Sequence, residues 1–104
     1  MKVLKFGGTS VANAQNILLV EKIVKKESSE NRVVVVVSAL SGVTDGLISA
    51  AESASAKNEN YSETIKTLEE KHLEFVKNLL PSPEQSTWFS FVKKNVNDIE
   101  DICN

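Results

Sequence analysis

The sequence predicts an α/β fold in which a strand–helix–strand (βαβ) unit is followed by a hairpin of two helices. Two short runs of strand-forming residues, at 2–6 and 32–37, are separated by one segment with helical periodicity. Two longer amphipathic segments then follow within 62–103, with only a short proline-containing turn between them. Two strands are fewer than an independent sheet needs, so we expect the first part of a larger domain.

Length and composition limit the classes of protein to which the chain can belong. Its 104 residues suffice for one domain with a modest core, and its formal net charge of −2 provides no basic field for nucleic acid or an anionic membrane. No apolar stretch approaches the roughly 18–20 residues of a membrane span, and the N-terminus lacks a signal-peptide pattern, so we expect a cytoplasmic protein. The single cysteine, Cys103, excludes an internal disulfide.

The first half of the chain has the pattern of a βαβ unit. The strand at 2–6 stops at Gly7 and Gly8, and apolar residues then recur at three- and four-residue spacing, which predicts a helix to about Lys26. The valine-rich run at 32–37 is apolar on both faces, as a central parallel strand would be. We expect a right-handed crossover between the two strands.

A further helix is predicted to begin near Thr44. Its expected inner face consists of four apolar residues: Leu47, Ile48, Ala51 and Ala54. The polar segment 57–62 interrupts this pattern. We therefore divide the chain into a βαβα part, residues 1–57, and a helical hairpin, residues 62–103.

The hairpin is predicted from two apolar stripes and the signals at their ends. Ser62 is the expected N-cap of the first helix, Pro81 ends it, and residues 82–85 have the pattern of a capping box with proline at the first helical position. The first stripe comprises Ile65, Leu68, His72, Phe75, Val76 and Leu79. The second comprises Trp88, Phe89, Val92, Val96, Ile99 and Cys103. The short connection predicts antiparallel packing of the two helices.

The first strand ends in a loop suited to binding an anion. Gly7 and Gly8 lack the Cβ atoms that would block the approach of a ligand to backbone N–H groups, and Lys5 adds a positive charge beside them. A polyphosphate needs such donors. The lysine precedes the glycines, so this is not the motif of P-loop proteins. The alternative is a solvent-facing lysine before a glycine-rich turn.

The second strand also ends in a loop of small and hydroxyl residues. Ser38, Ser41, Gly42 and Thr44 offer hydroxyl groups and a flexible backbone at the carboxyl end of the strand, where α/β sheets bind ligands. The alternative is that Ser38 ends the strand and Thr44 caps the next helix. Two such loops in one βαβ unit favour a shared site.

Other side chains have more ordinary interpretations. His72 is the only histidine and has no metal-spaced partner, which favours a packing or interface role. Asp45 could assist a metal or substrate, although an aspartate at a helix start commonly stabilises the helix dipole. Among Trp88, Phe89 and Phe91, at least one should face a partner or a missing segment of the protein.

The two loops carry a resemblance to a known family. The sequence VLKFGGTSVANA at 3–14, with VVVSALSGVTD at 35–45, resembles the amino-terminal end of aspartate kinases, and its opening is most similar to the bifunctional aspartokinase/homoserine dehydrogenases. The resemblance implies the N-terminal portion of an amino-acid-kinase three-layer sandwich. It also implies transfer of the γ-phosphoryl group of Mg-ATP to the side-chain carboxylate of L-aspartate, which gives 4-phospho-L-aspartate for lysine, threonine and methionine synthesis.

Matching positions imply a role for each site residue. Lys5 would contact the transferring phosphoryl group and act as the catalytic residue, and no protein side chain is implied as a metal ligand. The phosphate-binding residues would be Lys5, Gly7, Gly8 and Ser10, and the substrate-binding residues would be Thr9, Ser38 and Thr44. Because the acceptor is already a carboxylate, no general base is required, and catalysis consists of positioning and charge neutralisation.

The chain departs from the family pattern in its length. Family members have further strands with an acidic S-x-G-E-type segment, a region for adenine and ribose, and ACT domains, and none of these occurs by Asn104. We expect the fragment to be inactive alone and to need the missing C-terminal part of the kinase; a homodimer through the hairpin stays open. The alternatives are another amino-acid kinase, such as a glutamate or carbamate kinase, and a non-catalytic interaction module.

Overall fold

The computed structural model describes all 104 residues and has the predicted α/β architecture. The elements, in chain order, are β1 (Lys2–Phe6), a 3₁₀ turn (Gly8–Val11), α1 (Ala14–Ser28), β2 (Val33–Val37), α2 (Val43–Ser55), α3 (Tyr61–Leu79) and α4 (Ser82–Cys103). They form two compact units, Met1–Gly42 and Val43–Asn104. None of the α-helices has both the length and the apolar character that crossing a membrane requires.

The first unit contains the parallel strand pair that the sequence predicts. β1 pairs with β2 in parallel, in a register that runs from Lys2 opposite Val33 to Phe6 opposite Val37. α1 connects the two strands and contacts β2. An ion pair of 3.0 Å between Lys2 Nζ and Glu27 Oε2 joins the start of β1 to the last turn of α1. The two predicted strands are confirmed to within one residue.

The predicted helix after the glycine pair is divided into two parts. Residues 8–11 form a 3₁₀ turn, and α1 begins only at Ala14. The interruption lies at Asn13, whose backbone is extended and whose side-chain Oδ1 accepts a hydrogen bond of 2.8 Å from the Asn16 N–H. Asparagine is a strong N-cap residue, so it begins a new helix here although the apolar periodicity continues through it.

The expectation that β2 is buried on both faces is wrong for this chain. The exposed fractions of Val34, Val35, Val36 and Val37 range from 41% to 56%. β2 has a neighbouring strand on one side only, because the sheet consists of β1 and β2. The strand therefore has the composition of a central strand but the exposure of an edge strand.

The second unit consists of α2, α3 and α4 around a small apolar core. Ala50, Ile65 and Val96 are buried together, with one residue from each helix. Because α2 packs against α3 in this way, the unit boundary lies after Gly42, whereas the sequence analysis placed α2 with the strands in residues 1–57.

The antiparallel hairpin is confirmed by contacts along its length. The Tyr61 hydroxyl donates a hydrogen bond to Asn104 Oδ1 at one end of the hairpin. Lys93 Nζ lies 3.9 Å from Glu69 Oε1 nearer the middle. At the turn, the Gln85 side chain donates hydrogen bonds of 3.2 and 2.8 Å to the carbonyl oxygens of Lys77 and Leu80. Early residues of α3 thus meet late residues of α4.

Both side-chain caps predicted for the hairpin are absent. Asn60, rather than Ser62, precedes α3, and Ser62 lies in its first turn. α4 begins at Ser82, one residue before the predicted first helical position, and the residue before it is Pro81, whose side chain has no acceptor that could cap the helix. Gln85 is turned instead toward the end of α3, because the free carbonyl groups there need donors.

Two predicted inner faces also differ from the structure. In α2 the buried residues are Val43 and Ala50, whereas Leu47 and Ile48 are 37% and 52% exposed. In α4, Trp88 is 45% exposed although it was expected in the inner stripe. Periodicity identifies each helix, but the positions of the neighbouring helices determine which of its apolar residues are buried.

Candidate functional site

The carboxyl ends of β1 and β2 bring the two predicted loops together. Phe6 and Val37 are the last paired residues, and the Ser38 N–H donates a hydrogen bond of 3.1 Å to the Phe6 carbonyl oxygen. In the same residue, Ser38 Oγ lies 3.8 Å from the position that a Cβ atom at Gly8 would occupy. The parallel pairing therefore places the hydroxyl of the second loop beside the glycine pair of the first.

The backbone of the glycine pair does not itself require glycine. Gly7 has φ −81° and ψ −177°, and neither Gly7 nor Gly8 has a positive φ. A Cβ atom at Gly7 would have no other atom within 4 Å, and one at Gly8 would make only an ordinary van der Waals contact. The missing side chains thus leave open space beside the backbone, and a ligand could approach the backbone through this space.

The 3₁₀ turn leaves donors available beside this space. Its first hydrogen bond runs from the Ser10 N–H to the Gly7 carbonyl oxygen, at 3.0 Å. The N–H groups of Gly8 and Thr9 precede that bond, so the turn provides no acceptor for them. The glycine loop, residues 7–10, therefore has two backbone donors at the edge of the sheet.

Lys5 lies on the exposed face of β1. Leu4 and Phe6 are half-buried and Lys5 is exposed, as the alternation of side chains along a strand requires. Lys5 makes no ion pair, in contrast to Lys2 on the same strand. Its ammonium group is therefore free to pair with an anion.

Thr9 and Ser10 line a cavity on the α1 side of β1. The cavity has a volume of about 280 Å³. Its lining residues are Phe6, Thr9, Ser10, Asn16, Leu19, Val20 and Ile23. Because Phe6 lies on the face of β1 opposite to Lys5, this cavity and the lysine lie on opposite sides of the strand.

Asn16 is the residue of this region that the sequence analysis missed. Its side-chain Nδ2 donates a hydrogen bond of 2.9 Å to the Thr9 carbonyl oxygen, which joins α1 to the glycine loop. The spacing Asn13-x-x-Asn16 could have marked the start of α1, since an N-cap residue bonds the backbone three residues later, but it gives no sign of the side-chain bond to Thr9.

The second loop is shaped by Ser38 and Gly42. Ser38 Oγ donates a hydrogen bond of 2.7 Å to the Ala39 carbonyl oxygen, so its lone pairs stay available as acceptors. Gly42 has φ 82°, a conformation that favours glycine. Thr44 and Asp45 follow in the first turn of α2, where both are exposed, and they belong to the second unit.

His72 has the packing environment expected of it. It is half-buried on α3, and its Nδ1 lies 2.7 Å from the Leu68 carbonyl oxygen. It also lines a largely apolar cavity of about 250 Å³ among α2, α3 and α4. Near this cavity, Trp88 and Phe91 form an edge-to-face pair with ring centroids 5.4 Å apart, and both rings are about half exposed.

Comparison with known proteins relates the whole chain to one family. The model of the amino acid kinase family matches residues 1–96. The chain is 47% identical over 89 residues to an aspartokinase of Chlamydia pneumoniae, a match that covers 85% of this chain and 19% of that protein. It is 32% identical over 108 residues to a bifunctional aspartokinase/homoserine dehydrogenase of Buchnera aphidicola, covering 98% of this chain and 13% of that protein.

A plant protein gives a similar result. The chain is 35% identical over 98 residues to the chloroplastic bifunctional aspartokinase/homoserine dehydrogenase 1 of Arabidopsis thaliana, covering 94% of this chain and 11% of that protein. The chain thus spans 19% or less of the length of these three relatives.

Proposed function

The chain belongs to the amino acid kinase family, and we propose that it forms the amino-terminal part of an aspartate kinase. The complete enzyme would transfer the γ-phosphoryl group of ATP to the side-chain carboxylate of L-aspartate and form 4-phospho-L-aspartate for lysine, threonine and methionine synthesis. The relatives named aspartokinase support this substrate pair. For this protein, location in the cytoplasm and assembly as a homodimer remain predictions.

The main structural support for the proposal is the glycine pair, Gly7 and Gly8. The glycine pair lies at the carboxyl edge of the sheet, beside open space, in a backbone conformation that does not itself demand glycine. A chain folded for stability alone would gain from alanine there, because glycine loses more conformational entropy on folding. The glycines are therefore better explained by the close approach of a phosphate to the N–H groups of residues 8 and 9.

The roles proposed for the side chains are those that the resemblance to aspartate kinases implies. Lys5 would neutralise charge on the transferring phosphoryl group, while the N–H groups of the glycine loop and the Ser10 hydroxyl would bind phosphate oxygens. Thr9, Ser38 and Thr44 would bind the amino acid. No proton has to be removed from the acceptor, since a side-chain carboxyl is ionised near neutral pH.

The acidic residues of the chain do not form a metal centre. No group of three or more His, Cys, Asp or Glu side chains is placed to hold a metal ion. Any Mg²⁺ that enters with ATP would therefore have no dedicated cluster of ligands in this chain. The contribution proposed for this chain is limited to binding and neutralising the phosphates and orienting the acceptor.

A chimaera tests the proposed reaction. Residues 1–96 of this chain would replace the matching segment of the Chlamydia pneumoniae aspartokinase, and ADP release would be measured with L-aspartate, L-glutamate or carbamate as acceptor. We expect release that depends on L-aspartate, and none from the isolated chain. Turnover with a different acceptor would assign another amino-acid kinase, and a folded chimaera without turnover would contradict the kinase role.

The half-exposed Trp88–Phe91 pair favours a second candidate, a non-catalytic interaction module that docks a partner through α3 and α4. That function predicts a stable complex through residues 62–103 and no turnover in any chimaera. The chimaera experiment therefore separates the two candidates.

A further inference from the structure

We propose that Asn16 is a positioning residue of the glycine loop, because its side-chain amide holds the Thr9 carbonyl group toward α1 and away from a bound phosphate. The inference rests on the proposed function of the loop. Asn16 itself is not a phosphate ligand in this proposal; it acts through the peptide group that joins Thr9 to Ser10.

The peptide group between Thr9 and Ser10 is held at both ends. Its carbonyl oxygen accepts the 2.9 Å hydrogen bond from Asn16 Nδ2, and its N–H donates a 3.0 Å hydrogen bond to the Gly7 carbonyl oxygen. The Thr9 oxygen also accepts a bond from the Ala12 N–H, but at 3.3 Å. The contact from Asn16 is therefore the shorter of the two that fix this oxygen.

The orientation of that carbonyl matters because of its charge. A peptide oxygen carries partial negative charge, so rotation of the peptide group toward the open side of the loop would place it against phosphate oxygens. A 3₁₀ turn of four residues has weak hydrogen-bond geometry and restrains such a rotation poorly. A side-chain donor on the adjoining helix supplies the missing restraint.

Asn13 and Asn16 use opposite ends of the same functional group. Asn13 accepts through Oδ1 from the Asn16 N–H at 2.8 Å, whereas Asn16 donates through Nδ2 to the Thr9 oxygen. Replacement of an asparagine by aspartate keeps the shape and the acceptor but removes the donor. The same chemical change is therefore conservative at residue 13, where aspartate is also a good N-cap, and disruptive at residue 16.

This contrast defines the experiment. The full chain and its N16D, N16A and N13D variants would be studied by NMR, with the ¹³C signal of the Thr9 carbonyl and the amide signals of Gly8 and Ser10 as readouts of loop structure. Tripolyphosphate would be titrated as the probe of affinity. Melting temperatures would show whether the variants differ in global stability.

We expect the Thr9 carbonyl signal to shift in both variants of residue 16 and to stay in place in N13D. Loss of one hydrogen bond corresponds to about a threefold to tenfold weaker affinity for tripolyphosphate in N16A, and N16D should be weaker still because its carboxylate repels the Thr9 oxygen. N13D, which adds the same charge three residues away, should stay within about twofold of the unsubstituted chain.

Two results would overturn the proposal: an unchanged Thr9 carbonyl signal in N16D, or an equal loss of affinity in N13D and N16D. A third result would separate the inference from the function on which it rests. If the unsubstituted chain does not bind tripolyphosphate but N16D still shifts the Thr9 signal, the phosphate-binding function is contradicted, while the role of Asn16 in shaping the loop is supported.

Discussion

Ser38 Oγ lies 3.8 Å from the place that a Cβ atom at Gly8 would take, close enough for contact and too far for a clash. The free protein can thus accommodate a methyl group between the two loops. That methyl group would, however, lie beside the N–H groups proposed to meet a phosphate. A side chain at residue 8 should therefore affect the function proposed for the loop without lowering the stability of the fold.

The first prediction contrasts Gly8 with Gly42. Gly8→Ala should leave stability unchanged or raise it by about 0.4–1 kcal/mol, because alanine has fewer unfolded conformations to lose. Gly42→Ala should lower stability by about 1–2 kcal/mol, because φ at Gly42 is 82°. Urea unfolding of both variants measures the difference. In the chimaera, Gly8→Ala should nevertheless raise the KM for ATP, and a normal KM would contradict the proposed approach of phosphate.

The second prediction concerns the two lysines of β1. Lys5→Ala in the chimaera should reduce kcat by at least about 100-fold, because an unpaired charge at the reacting group is lost. Lys2→Ala is the matched control, since it removes a lysine from the same strand but breaks only the surface pair with Glu27, which contributes about 0–1 kcal/mol. Steady-state ADP release measures the activity of both variants. Equal activity of Lys5→Ala and Lys2→Ala would contradict the role given to Lys5.

The third prediction locates the core of the helical unit. Ile65 is 1% exposed and packs with Ala50 and Val96, so Ile65→Ala should destabilise the fold by about 2–5 kcal/mol. Ile102, which is 84% exposed on α4, provides the control, and Ile102→Ala should change stability by less than about 0.5 kcal/mol. Thermal unfolding followed by circular dichroism would show whether the two isoleucines differ in this way.

The fourth prediction concerns the turn of the hairpin. Gln85→Glu removes the amide that donates to the carbonyl oxygens of Lys77 and Leu80, and it should cost about 1–2 kcal/mol. Glu84→Gln is the matched control, because it makes the reverse exchange one residue earlier and leaves both of these bonds in place. Chemical unfolding of the two variants provides the comparison. A cost as large for Glu84→Gln as for Gln85→Glu would contradict the assigned bonds.

The fifth prediction concerns Glu21 on α1. A hydrogen bond from Lys25 and its positive charge lower the pKa of the Glu21 carboxyl below its ordinary value. The pair therefore stabilises the folded state above the unfolded pKa, and this stabilisation is lost as the pH falls through the lowered folded pKa. An NMR titration of the Glu21 side chain should show the lowered pKa, and Lys25→Ala should return it toward the ordinary value.

The sequence predicts the order and type of the elements because strong local signals mark them. Five consecutive valines identify β2, and the proline at residue 81 ends α3, whatever the rest of the fold does. The caps were predicted less well. Serines at positions 62 and 82 have the right residue type, but Asn60 and Pro81 precede the helices in the structure, since helix ends depend on local backbone geometry as well as on propensity.

The candidate site also contains features that the sequence predicts and one that it does not. The glycine pair and Ser38 follow strands that are recognisable in the sequence, and parallel pairing alone brings them together. The bond from Asn16 to the Thr9 oxygen could not be predicted in the same way, because it depends on where α1 begins after the 3₁₀ turn. A hydrogen bond between residues seven positions apart becomes visible only when that break in the helix is known.

The exposed valines of β2 have a consequence for how the chain behaves in solution. A strand of five β-branched residues, without a charge or a proline and with one edge unpaired, is a template for a strand from another molecule. Self-association of the isolated chain should therefore increase with its concentration and time in solution. At high protein concentration, edge-to-edge aggregation would compete with ligand binding at the neighbouring loops.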